Sequence, residues 1–192
     1  FILHNKSIPP LIRISVFHYL FGYIHPFYDG NGRTNRFISS YLLSKELDPL
    51  ISYHLARTIQ QNISKYYKSF DYTNDINNRG DLTGFITNFL EIILESVESL
   101  NDSLEEKINH LHYFEEILLS DFKDKTDYGI LHLLLQNSLF GLEPLSARKI
   151  SEVLDKSYVT INNRLKKDSI KTLLRSDIPH KYDLDLDMLK TL

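Results

Sequence analysis

The chain contains no cysteine. Disulfides and thiolate zinc sites are therefore excluded, and a reducing cytoplasmic setting is expected. It has no apolar run of membrane-spanning length, and its first residues do not read as a signal peptide, so no membrane partner is expected. Neither sign of charge dominates. With 22 Lys and Arg against 25 Asp and Glu, the formal net charge is -3, and nothing pulls the whole chain toward nucleic acid or anionic lipid. Repeats and low-complexity tracts are missing. So is a histidine metal cluster: His110 and His112 fall on opposite sides of a helix, and His4, His54, His132 and His180 are isolated. His18 lies on an apolar helix and reads as a core residue. What remains is an ordinary globular composition, 42% hydrophobic and 24% charged over 192 residues, enough for one domain plus a small appendage. Phe1 is not an initiator methionine, so further chain is expected upstream.

Helical patterns fill most of the chain. Pro9-Pro10 can open a helix, and Leu11 to Ile24 is nearly all apolar or aromatic, as in a central helix. Thr34 to Leu47 repeats apolar residues at helical spacing through Phe37, Ile38, Tyr41 and Leu42. Ile51 to Phe70 reads as a third helix, and Thr73 to Asp81 as a loop. Leu82 to Phe122 is helical in pattern, with a break expected near Leu100-Asn101-Asp102-Ser103, where the side chains offer capping chemistry.

Between the first two helices lies His25-Pro26-Phe27-Tyr28-Asp29-Gly30-Asn31-Gly32-Arg33-Thr34-Asn35-Arg36. Each residue type in it suits phosphate chemistry. A glycine turn at a helix start can form an anion-binding nest, and Gly30 and Gly32 remove side chains that would block it. Arg33 and Arg36 are three apart and share a helix face. Asp29 is a hard oxygen donor suited to Mg2+. His25 can move a proton near neutral pH. Phe27 is expected to anchor the loop in the core. Any one of these residues alone fits a plain helix–loop–helix turn, but the joint spacing does not.

The stretch resembles the Fic family motif, which reads His-Pro-Phe, two residues, Gly-Asn-Gly-Arg, two residues, Arg, with an acid before the first Gly. Every fixed position matches. The resemblance implies transfer of AMP from ATP to a Ser, Thr or Tyr hydroxyl of a target protein, releasing pyrophosphate. It implies His25 as the base, Asp29 as the Mg2+ ligand, and Gly30, Asn31, Gly32 and Arg33 as the pyrophosphate cradle. Arg36 would bind the γ-phosphate. Tyr66 (of Tyr66-Tyr67) and Asn78 (of Asn78-Arg79-Gly80-Asp81) would contact the nucleoside. A phosphotransferase branch of the family carries Lys where this chain has Gly32. A DNA-binding regulator with a vestigial Fic core is a further alternative, against which the intact His25 speaks. Many Fic proteins also carry an inhibitory helix whose Glu, followed by Gly or Asn, pairs with the second motif arginine. No Glu of this chain fits that pattern, so such a segment is expected upstream or on a partner.

The expected fold class is all-α, with a Fic-type core over residues 1–122, a linker at 123–127 and a small domain over 128–192. In that last domain Ile130 to Leu139, Ser146 to Leu154 and Ser157 to Lys167 read as three helices, similar to helix-turn-helix domains of the winged-helix type. From Glu143 to Ser176 there are eight Lys or Arg against four acids. Arg164, Lys166 and Lys167 are accordingly candidate DNA contacts. No Gly follows Leu165 to mark a wing turn.

Overall fold

The structure is a computed structural model and describes residues 2–175 and 178–192. The all-α expectation holds, with one small sheet as the exception. The chain divides into two compact units, the first ending at Ser103 and the second beginning at Leu104. The division falls inside a helix rather than at the expected 123–127 linker, because residues 114 and 118 belong to the second core.

In the first unit, helix α1 (Pro10–Ile24) starts on a proline at its first turn, where no N–H is needed. Helices α2 (Asn31–Glu46), α3 (Pro49–Gln61) and α4 (Ile63–Asn74) follow. The expected single helix over 51–70 is thus two, parted at Asn62, whose amide side chain bonds Thr58 O (3.1 Å) and Glu95 (2.9 Å). Helix α5 (Thr83–Asp121) is continuous. The break expected at residues 100–103 does not occur, since no Gly or Pro lies between Gly84 and Gly129 to enforce one. Phe85, Phe89, Ile92 and Ile93 of α5 pack with Ile14, Tyr19, Leu43, Leu55, Ile59 and Tyr66 to form the first core.

In the second unit, the later part of α5 packs with α6 (Lys125–Phe140), α7 (Ala147–Val153) and α8 (Tyr158–Leu165). Short helices α9 (Asp168–Lys171) and α10 (Leu186–Leu189) complete it. Strands β1 (Leu145–Ser146), β2 (Leu174–Arg175) and β3 (Lys181–Leu184) form an antiparallel sheet of order β1-β3-β2. Its registers are Leu145↔Tyr182 and Leu174↔Leu184. Strands β2 and β3 therefore pair after α8 although no glycine lies between Leu165 and Lys181. Among the described residues no helix is long and apolar enough to cross a membrane.

Candidate active site

The loop from His25 to Gly30 joins the end of α1 to the start of α2, and left-handed backbone brackets it. His25 caps α1 at φ 50°, ψ 58°, and its N–H donates to Phe21 O (3.1 Å). Gly30 precedes α2 at φ 81°, a conformation glycine adopts without a Cβ penalty. Between them the Asn31 side chain clamps the loop. Its Oδ1 accepts from Phe27 N–H (2.9 Å) and its Nδ2 donates to Phe27 O (2.6 Å). Asn31 is buried, and its amide is engaged by the loop backbone. The Phe27 ring meets Phe21 at 6.1 Å between centroids but stays half exposed. It leans on α1 without entering the core, contrary to the expected anchor. The His25 imidazole is exposed.

The N-terminus of α2 is built to receive an anion. No side chain caps it, and Thr34 N–H to Gly30 O (2.9 Å) closes the first turn. The amides of Asn31, Gly32 and Arg33 therefore await an outside acceptor, with the positive end of the helix dipole behind them. Gly32 also makes room for Arg36: a Cβ there would come within 3.3 Å of Arg36 Nη1. The half-buried Arg36 guanidinium thus lies along the same helix end and makes no ion pair among the described residues. Arg33 is held by Asp29 across one turn at 3.3 Å, and both side chains are exposed. Asp29 Oδ1 also accepts from Gly30 N–H (2.6 Å).

Beneath the site, α1, α2 and α4 are tied by a buried polar cluster. His18 Nδ1 meets Ser39 Oγ at 2.7 Å, and its Nε2 meets Tyr66 Oη at 2.8 Å. Asn35 Nδ2 donates to His18 O (2.7 Å). The His18 ring also stacks on Phe89 at 4.3 Å. Burial, helped by the Arg36 charge, lowers the His18 pKa from 6.5 to about 3. Burial pushes the Tyr66 hydroxyl above its usual range, with Arg36 opposing.

The two residues expected at the nucleoside are both engaged within the fold. Tyr66 is in the core with its hydroxyl on His18, whereas Tyr67 is the exposed member of the pair. Asn78 Nδ2 donates to Asp81 O (2.7 Å) and Thr73 O (3.3 Å), which closes a turn. A cavity of about 470 Å³ lies at the ends of α1 and α4, lined by Tyr19, Tyr23, Asn74, Ile76 and Arg79 among others. Asn74 Oδ1 accepts from Tyr19 Oη (2.7 Å), and Tyr19 stacks with Tyr23 at 5.9 Å. The sequence reading missed this group, whose one signal was the Tyr19/Tyr23 spacing of four. A second cavity of about 490 Å³ between α2 and α3 is lined by Arg33, Arg36, Phe37, Tyr41 and Tyr53 among others.

Mg2+ has one candidate ligand here. No cluster of three or more His, Asp or Glu able to hold a metal occurs among the described residues. Mg2+ is commonly bound through one or two carboxylates plus substrate phosphates and water. A lone exposed carboxylate beside an uncapped helix start fits an ion that arrives with a nucleotide.

The candidate DNA contacts divide. Arg164 bonds Asp127 (2.8 Å) and Asp124 (3.0 Å), and Lys167 bonds Asp127 (2.7 Å). These two fasten α8 to the start of α6, whereas the exposed Lys166 has no such partner among the described residues.

Residues 2–43 match the model of the Fic/DOC family. "Protein adenylyltransferase Fic" of Drosophila virilis is 34% identical over 83 residues, 43% of this chain and 15% of that protein. The Drosophila melanogaster protein of the same name is 32% identical over the same length. The chain thus spans about 15% of the length of these curated relatives. A solved structure of a Fic family protein from Desulfovibrio desulfuricans G20 aligns with 95% of this chain and 51% of its own, at 21% identity and a TM-score of 0.49.

Proposed function

We propose that the chain is a Fic-family protein, on the match of residues 2–43 to the Fic/DOC family model, and that it transfers AMP from ATP to a Ser, Thr or Tyr hydroxyl of a target protein. The observation that carries this is the uncapped N-terminus of α2, with Arg36 seated along it over Gly32, next to an exposed imidazole. That end supplies amides and a guanidinium to a polyphosphate. His25 takes the proton of the acceptor hydroxyl as its oxygen bonds to the α-phosphorus. The bond from the α-phosphorus to the bridging oxygen breaks, and pyrophosphate leaves with that oxygen. General-base help of this kind is worth roughly 10²–10⁴-fold in rate. The α2 amides and Arg33 stabilise the leaving charge, and Arg36 holds the γ-phosphate. Asp29 is the residue that would hold Mg2+, which when bound neutralises phosphate charge. Arg33 then exchanges Asp29 for phosphate as its partner. The cavity of Tyr23 and Asn74 suits a nucleoside, offering an aromatic face and an amide.

Gly32 favours adenylyl over phosphoryl transfer. The phosphotransferase branch of the family carries Lys there, and a Cβ at this position would meet only the flexible end of Arg36, at 3.3 Å. Because Arg36 has no ion pair among the described residues, it is also the natural target of an inhibitory carboxylate from an upstream segment or a partner protein.

The test is mass spectrometry of a target mixture incubated with the chain, ATP and Mg2+. An AMP adduct that disappears with His25→Ala is expected. A phosphate adduct would transfer the assignment to the kinase-like reading. No adduct from a folded, ATP-binding chain would favour a regulator with a vestigial core.

A further inference from the structure

Helix α8 of the second unit is held on two sides and bare on the third. Ile161 and Leu165 are buried in the second core. Arg164 and Lys167 are drawn to the α6 end by Asp124 and Asp127, the latter nearly buried. The remaining stripe is Tyr158, Val159, Asn162, Asn163 and Lys166, at helical spacing i, i+1, i+4, i+5 and i+8. Tyr158, Val159, Asn163 and Lys166 are exposed, and Asn162 is half-buried.

We propose that this stripe reads base edges in the major groove of double-stranded DNA, a binding activity separate from the transfer reaction. Three features point to DNA. First, no Asp or Glu occurs from Lys156 to Lys167, so nothing on the helix repels phosphate. Second, Arg148, Lys156 and Lys171 flank the stripe and Lys166 ends it, and all four are exposed and have no ion pair among the described residues. The nearby acids are Glu152, paired with Lys149 at 3.7 Å, Asp155 in the turn before the helix, and Asp168 at the start of α9. Third, the outward chemistry matches groove readout. Asn amides bond adenine N6 and N7 as a pair, and Val methyls meet the thymine methyl. A protein partner would want an aromatic or aliphatic centre, whereas here two amides and a lysine occupy most of the stripe. Helix α8 spans about 12 Å, which the major groove accommodates. The antiparallel pair β2–β3 follows it after the one-turn helix α9, the order of a helix-turn-helix unit with an added hairpin.

The division of labour departs from the sequence expectation. Arg164 and Lys167 set the pose of α8, Asn162 and Asn163 supply discrimination, and Lys156 and Lys166 supply phosphate contact.

The experiment uses the full chain and a fluorescent DNA duplex pool of randomised sequence, with rounds of selection at low salt. Enrichment of a motif is expected. Affinity should fall with salt at a log–log slope of about -0.9 per phosphate neutralised. Asn162→Ala with Asn163→Ala should reduce preference for the motif over the pool by roughly tenfold or more. Lys156→Ala with Lys166→Ala should weaken both alike. Lys156, Asn163 and Lys166 are exposed and Asn162 is half-buried, and circular dichroism checks that each variant is folded. Failure to bind any duplex at low salt overturns the proposal, as does a motif preference unchanged in the double Asn variant. A self-association abolished by Tyr158→Ala with Val159→Ala, without DNA binding, would instead make the stripe an interface between copies.

Discussion

Acidification should weaken the first unit through His18, and the size of the effect follows from its pKa. The folded value is about 3 against 6.5 for an unhindered imidazole. Below pH 6.5 the unfolded chain takes up a proton that the folded chain refuses, so unfolding gains free energy. The contribution of neutral His18 is complete above pH 6.5 and declines by about 1.4 kcal/mol per pH unit as pH falls, until about pH 3. At about pH 4.5, two units down, the loss is about 2.7 kcal/mol, a large part of the 5–15 kcal/mol typical of a whole domain. Hydrogen bonding does not forbid the charged form, because the Ser39 and Tyr66 hydroxyls can both turn to accept from an imidazolium. Burial and the Arg36 charge forbid it. The carboxylates held below their ordinary values, including Asp81 in this unit, lose their contribution only at lower pH. The range above about pH 4.5 therefore isolates the histidine. Two assays suffice: the imidazole resonances of His18 followed by NMR, and hydrogen exchange of the α1 amides at neutral and mildly acid pH. His18 should fail to titrate above about pH 4.5, while α1 protection falls. A midpoint near 6.5, or protection that stays level, would refute the reasoning.

Three further outcomes are expected. Asn31→Ala removes both bonds that clamp Phe27. It should cost roughly 1–3 kcal/mol, speed exchange of the Phe27 amide and slow AMP transfer far more than it weakens ATP binding; equal transfer rates would show that the clamp does not position the loop. Gly22→Ala puts a Cβ 2.8 Å from Phe70 Cε1, in a ring cluster with Tyr19, Tyr66 and Phe85. Overpacking should lower stability by roughly 1–3 kcal/mol in urea melts, and an unchanged midpoint would mean that α4 yields freely. Asp127→Ala leaves Lys167 unpaired and Arg164 with Asp124 alone. Allowing for partial exposure, the second unit should lose about 1–2 kcal/mol in a thermal melt, and the matching change Asp124→Ala should cost less.

Local rules carried the sequence reading where chemistry is local. Pro10, the twelve-residue loop and the two glycines marked the α1–α2 turn because helix starts, stops and anion nests are set by neighbours in the chain. They failed where a partner is remote. Tyr66 reads as a ligand contact until His18, 48 residues earlier, takes its hydroxyl. Arg164 and Lys167 read as DNA contacts until Asp127, about forty residues earlier, claims them. The continuity of α5 was legible in principle. Asn101, Asp102 and Ser103 can cap a helix but cannot end one, and no glycine or proline stands near them. The sheet was not legible, since strands of two to four residues are too short to show alternation.

The left-handed backbone at His25 has a consequence for stability. An L-residue with a Cβ at φ 50° carries a penalty of roughly 1–2 kcal/mol that glycine escapes and asparagine partly escapes. Glycine or asparagine at this position would relieve that strain, so either substitution should raise the stability of the first unit whatever it does to activity. The fold carries the same kind of strain at Arg79, Asp155 and His180, so a histidine kept here is not by itself a sign of activity.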